Sequence, residues 1–209
     1  MTAPRFTAAI VTAQVLAQIG SFSLPALLPG YIARWSLSAT EAGWLIGAFF
    51  AAYVMAVPVL VSLTDRLPTR RIYLLGTGLT ALSHFGFALL ADGFWTGLVL
   101  RMIGGIGWAG CYMPGLKAIA DRLEGAAQSR AVSWHAAGVG IAGSASFAIA
   151  GGLQALAGPA AAFLFGGAAA LGAALIGCLA MQGGPVVPAA PRSGLLDFRP
   201  VLRNRAAMA

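Results

Sequence analysis

Few residues of this 209-residue chain could do chemistry, because it holds only 13 Lys and Arg, 6 Asp and Glu, and 2 His. Arg101 stands inside a long apolar run. A guanidinium does not lose its proton, and a charge in hydrocarbon is expensive enough that function is its default reading. Structurally, Arg101 could instead snorkel toward an interface or pair with backbone carbonyls. Gln14, Gln18 and Ser21 fall at i, i+4 and i+7, one polar stripe on an otherwise apolar helix. That stripe faces either another helix or a water-filled path. His84 and His135 titrate in a range suited to carrying protons, although a lone histidine is more often a packed one. None of the six acids lies in the middle of an apolar run.

A further group is ionic. Asp65, Arg66, Arg70 and Arg71 crowd one short polar stretch, and Asp121, Arg122, Glu124 and Arg130 crowd another. Other chemistries find little support. Gly143-Ser-Ala-Ser146 is superficially similar to the serine motif of intramembrane proteases, but those enzymes place a histidine after the serine, and here both histidines precede it. Cys111 and Cys178 have no C-x-x-C spacing and join no Cys/His cluster, so they read as small buried hydrophobes with no metal and no cofactor implied.

These residues need elements to position them. The chain is 59% hydrophobic and 9% charged, with mean hydropathy +0.83, whereas a soluble domain is about a quarter charged. A water-soluble globule and a disordered chain are both excluded, and the 28 glycines show no collagen period. A bilayer core about 30 Å thick needs about 20 apolar residues of helix. Six runs qualify, at 8–33, 43–63, 72–90, 94–119, 131–156 and 160–181. They are continuously apolar, which excludes barrel strands, and a helix satisfies its own backbone groups in lipid. Ser38 and Glu41 have capping-box spacing ahead of the second run. Ala136, Gly140 and Ser144, and Gly104, Gly105, Gly107 and Gly110, predict close helix packing. Pro25, Pro29, Pro58 and Pro114 predict kinks.

The basic residues set the orientation. Arg5, then Arg66, Arg70 and Arg71, then Lys117, Arg122 and Arg130, then Arg192, Arg199, Arg203 and Arg205 all fall on one side; Arg34 alone falls opposite. Both termini are therefore expected on the cytoplasmic side of a cell (inner or plasma) membrane. The net charge of +7 belongs to separate topogenic loops, and no nucleic-acid partner is implied. The first run has no small-residue cleavage site and is expected to remain as a helix.

Leu63-Thr-Asp-Arg-Leu-Pro-Thr-Arg-Arg71 resembles the loop between the second and third helices of the major facilitator superfamily, written roughly G-x-L-x-D-R-x-G-R-R. Leu63, Asp65 and Arg66 match in register; Val61 and Pro68 replace glycines, and the arginine pair arrives one residue late. The preceding Trp44-Leu-Ile-Gly-Ala-Phe-Phe-Ala-Ala-Tyr53 looks like that family's second helix. Arg101-Met-Ile-Gly-Gly105-Ile-Gly107-Trp-Ala109 is similar to its fourth-helix pattern R-x-x-x-G-x-G-x-A, and the stretch from Tyr112 to Arg122 to that helix's exit. The fifth-helix antiporter pattern with a Gly-Pro pair is not evident.

The resemblance implies an all-α polytopic fold, six transmembrane helices as two inverted three-helix repeats, and alternating-access transport of a small-molecule substrate rather than enzyme activity. It implies a pathway for substrate or protons along spans one, two, four and five, with Arg101, Gln14, Gln18, Tyr53 and His135 as its residues. Asp65, Arg66, Arg70 and Arg71 would form a conformational latch, Asp65 contacting a helix terminus of the opposite half. Residues 1–182 are expected as the bundle and 183–209, rich in Gly and Pro at its start, as a cytoplasmic linker toward a second six-helix half. Such a half-size protein has as its partners the lipid bilayer and either that second half or another copy. The competing expectation is a non-transporting membrane protein that acts through helix–helix association.

Overall fold

The computed structural model describes residues 1–183; the expected linker beyond that point, with Arg192, Arg199, Arg203 and Arg205, lies outside the described residues. The helices are α1 (Ala3–Gln18), α2 (Ser23–Trp35), α3 (Ala39–Thr64), α4 (Thr69–Leu90), α5 (Phe94–Ala120), α6 (Gly125–Ala157) and α7 (Pro159–Ala180). Among the described residues there is no strand. Five segments are long and apolar enough to cross a membrane: α1 with α2, α3, α4, α6 and α7. α5 has the length, 27 residues, but Arg101, Lys117 and its many glycines dilute its hydropathy.

The first expected span, with the kink expected at Pro25, is divided into two helices. Residues 19–22 form a turn between α1 and α2. The cause is Pro25, whose ring clashes with the carbonyl four residues earlier and which offers that carbonyl no N–H. The carbonyl in question is that of Ser21. Pro58 and Pro114, by contrast, lie inside α3 and α5 without ending either helix.

The helix starts and stops follow local chemistry. Ser38 caps α3: its Oγ accepts from the Glu41 N–H at 3.2 Å, and Glu41 Oε2 accepts from the Ser38 N–H at 2.9 Å. Ser36, with φ of +50°, closes α2 in the left-handed region, and the Leu37 N–H reaches back to the Ile32 carbonyl at 3.1 Å.

Helix pairing is symmetric. α3 packs on α5 as α6 packs on α1; α4 packs on α5 as α7 packs on α1; and α4 packs on α7. Exchanging span one for four, two for five and three for six maps the first two pairs of pairings onto each other and α4 with α7 onto itself, as two three-helix repeats would. Glycines allow the tightest of these seams. A Cβ at Gly76 of α4 would collide with the backbone of Gly110 of α5, and one at Gly105 would collide with the Phe49 carbonyl of α3. Gly140 of α6 faces open space instead.

One end of the bundle gathers the charges. Lys117 near the end of α5 meets Asp65 at the end of α3, Arg122 meets Phe6 of α1 and the end of α7, and Arg70 of α4 meets Cys178 of α7. Arg5, Arg66, Arg71 and Arg130 stand on the same helix ends, and only Arg34 among the described loop cations stands at the other end. The described chain is a multi-pass membrane protein with a strongly basic face.

Candidate functional site

The turn at residues 19–22, buried at Gly20 and Ser21, leaves free backbone groups that a continuous helix would satisfy. Arg101 of α5 takes up one of them. Its Nη1 donates to the Ser21 carbonyl at 3.2 Å and its Nε to the Leu45 carbonyl of α3 at 3.3 Å. The guanidinium lies over the Phe49 ring, 4.2 Å from its centroid. With 4% of the residue exposed, Arg101 does not snorkel; it pairs with backbone carbonyls inside the bundle. No acid forms an ion pair with it among the described residues.

The turn's other loose group is the N–H of Phe22, which donates to Ser146 Oγ of α6 at 3.2 Å. That contact occupies the serine of the Gly143–Ser146 stretch, and neither histidine makes a hydrogen bond with it. His84 of α4 completes the junction. Its Nδ1 lies 2.8 Å from the Thr80 carbonyl, and its ring fills the space that a side chain at Gly20 or Gly166 would need. Three helices thus hold one turn.

Gln14 and Gln18 are wholly buried on α1, and both of their amides lack a hydrogen-bond partner among the described residues. Gln14 faces Gly138 of α6. His135, one turn before Gly138, has its Nε2 3.2 Å from the Tyr112 carbonyl, while Nδ1 has no partner among the described residues. Tyr53 of α3 lies with its ring 5.0 Å from that of Trp108, and Tyr112, one turn beyond Trp108, stacks on His135 at 5.0 Å. Trp108 also meets Phe49, at 5.4 Å, so Tyr53 and Arg101 join one aromatic cluster.

Sequence reasoning missed the contacts of Trp108 and Ser146 across the bundle. An apolar run containing an indole or a serine carries no signal of what that side chain meets across the bundle.

The ionic group separates as well. Lys117 Nζ lies 3.8 Å from Asp65 Oδ1 and 3.3 Å from Asp121 Oδ1, bridging the two acidic stretches. Asp65 therefore has a partner within this bundle. Arg122 turns the other way, donating to the Ala180 carbonyl at 2.7 Å and the Gln182 carbonyl at 2.9 Å. The first belongs to the last residue of α7 and the second lies two residues beyond it. Arg70 donates to Cys178 Sγ at 2.7 Å, so Cys178 is partly exposed and polar-paired rather than a buried hydrophobe, whereas Cys111 is buried. Arg71 stands exposed.

The comparisons with known proteins agree with this architecture. The chain matches the family model for the Major Facilitator Superfamily over residues 10–208. It is 31% identical over 119 residues to a protein of Bacillus subtilis (strain 168) described as an uncharacterized MFS-type transporter, YwoD. That alignment covers 57% of this chain and 26% of the relative, so the match spans about a quarter of the relative's length. With the family model covering nearly the whole sequence, this chain belongs to the Major Facilitator Superfamily.

Proposed function

We propose that this chain works as a six-helix half of a secondary carrier, moving a small solute across the cell membrane by alternating access against a second six-helix half. Both termini then lie in the cytoplasm. The observation that carries this reading is the uneven cover of the helices. Over their most apolar stretches α4 is 56% buried, but α3 only 28% and α6 only 22%. The two least covered helices are those that flank α1 and α5, leaving a broad face for the other half.

In this reading Arg101, Gln14, Gln18, Tyr53 and His135 serve the pathway for substrate or protons. The buried amides support it, because an unpartnered amide costs about 1–3 kcal/mol and persists where something else uses it. Asp65, with Arg66, Arg70 and Arg71, acts as the latch between the halves, and Lys117 holds Asp65 ready on the bundle's rim. The test is uptake of a panel of radiolabelled small solutes into liposomes, comparing strictly monomeric chain with chain joined to a second half. Uptake only by the joined form supports the proposal; uptake by the monomer refutes it. The competing reading, association without transport, draws on the exposed Trp134, Ile141 and Phe147 of α6, and predicts no uptake by either form.

A further inference from the structure

Tryptophan concentrates at the membrane–water boundary, yet Trp108 stands near the middle of α5, and its indole N–H is buried without a hydrogen-bond partner among the described residues. It is the hub of a chain of rings. Tyr53 lies 5.0 Å from it and Phe50 6.1 Å, both near the middle of α3. Phe22, in the turn of the first span, lies 6.5 Å away edge-on, and Phe147 of α6 stacks on Phe22 at 6.1 Å. The rings thus run in contact across spans one, two, four and five. They are not all core: Phe50 is 38% and Phe147 49% exposed, and Phe22 and Tyr53 are half-buried. No acid reaches this band among the described residues, because Glu41, Asp65, Asp92, Asp121 and Glu124 all stand in the first turn of a helix, at its caps or in the connections. The charge behind the band is positive: the Arg101 guanidinium lies over Phe49, whose ring is 5.4 Å from Trp108.

We propose that this band is the carrier's substrate platform and takes a planar aromatic solute that has a hydrogen-bond acceptor and no positive charge. Each property answers to one feature. Ring faces and edges attract flat π-systems. An indole N–H only donates, so a solute seated among the rings brings the acceptor that Trp108 lacks. A cationic aromatic, which ring faces alone would favour, meets Arg101 behind the band and no carboxylate. The depth agrees as well, since secondary carriers hold their substrates near the bilayer midplane. The inference rests on the carrier reading above, and the rival occupant of the same rings is a helix of the second half.

The test is equilibrium dialysis of the full chain in detergent against radiolabelled acridone, anthracene and 10-methylacridinium, with protein-free micelles subtracted. All three probes are planar; acridone is neutral with a carbonyl acceptor, anthracene neutral without one, and 10-methylacridinium cationic. Acridone should be retained about fivefold more tightly than anthracene, the worth of one neutral hydrogen bond, and more tightly than 10-methylacridinium. Trp108→Phe, which keeps a ring and removes the N–H, should erase the advantage of acridone over anthracene. Phe147→Leu, at an exposed position where folding tolerates the change, should weaken both about fivefold. Trp95→Phe, at the exposed start of α5, should change nothing. Equal retention of acridone and anthracene, tighter retention of 10-methylacridinium, or equal effects of the Trp108 and Trp95 substitutions would overturn the proposal, as would a joined second half that shuts acridone out. Dialysis reads binding without transport. A joined form that binds acridone as described and takes up no solute would refute the carrier reading and leave the binding site standing; uptake of other solutes that acridone does not inhibit would do the reverse.

Discussion

If Arg101 serves the Ser21 carbonyl because Pro25 cannot, then giving residue 25 an N–H should make Arg101 less necessary. The pair Arg101→Met and Pro25→Ala tests this as a double-mutant cycle. Methionine keeps most of the side-chain volume and removes every donor. At 3.2 and 3.3 Å the two bonds are long, so the low end of about 1.5 kcal/mol for each charged hydrogen bond applies. The ring contact adds about 1 kcal/mol, and removing a charge from hydrocarbon returns about 3 kcal/mol. The net loss for Arg101→Met is about 1 kcal/mol, with one orphan carbonyl left behind.

In the Pro25→Ala background that carbonyl bonds to the backbone N–H that alanine supplies, so the orphan cost, about 1.5 kcal/mol, disappears. It should surface as coupling of about 3–6 °C in Tm for a chain of this size, read by tryptophan fluorescence in detergent. Arg101→Lys should rank below Arg101→Met, since it retains a buried charge without the planar fork. Additivity of the two substitutions within about 0.5 kcal/mol would refute the assignment.

Replacing Gln14 or Gln18 with Leu should raise Tm by about 2–4 °C, roughly 1 kcal/mol for each unpartnered amide removed, while abolishing uptake by a joined carrier if the amides serve the pathway. Gly76→Ala should sharply reduce the yield of monodisperse protein in size-exclusion chromatography, because its Cβ has backbone in its place; Gly140→Ala, facing open space, should leave the profile unchanged. Ser38→Ala should lower stability by about 1 kcal/mol through loss of the α3 cap, and Ser38→Asn, followed in the same thermal melts, should recover most of it.

The spans, the capping box and the charge asymmetry were legible in the sequence because each depends on neighbours within a few residues. The serine cap needs only Glu41 three positions on, and the positive side needs only the sign of each loop. The break at residues 19–22 was half legible: Pro25 announced a kink, but nothing local said that the freed carbonyl would meet an arginine 80 residues away. Whether a polar stripe is buried depends on which helices flank it, so Gln14 and Gln18 could be placed on one face but not assigned a partner. The same limit applied to small residues. The glycines of α5 and the Gly140 stripe of α6 look alike in sequence, yet one is clasped by α3 and α4 and the other is open.

The turn in the first span also has consequences for how the chain enters the membrane. Its Ser21 carbonyl waits for a donor 80 residues downstream, and its Phe22 N–H for an acceptor 124 residues downstream. At about 5–20 residues per second of synthesis, those partners emerge about 4–16 and 6–25 s later. For that interval the first segment cannot settle in lipid with its backbone satisfied. It must linger against the insertion machinery, or in water, until the fourth and fifth segments arrive. A chain arrested before Arg101 is made should leave span one extractable, and the full-length released chain should not.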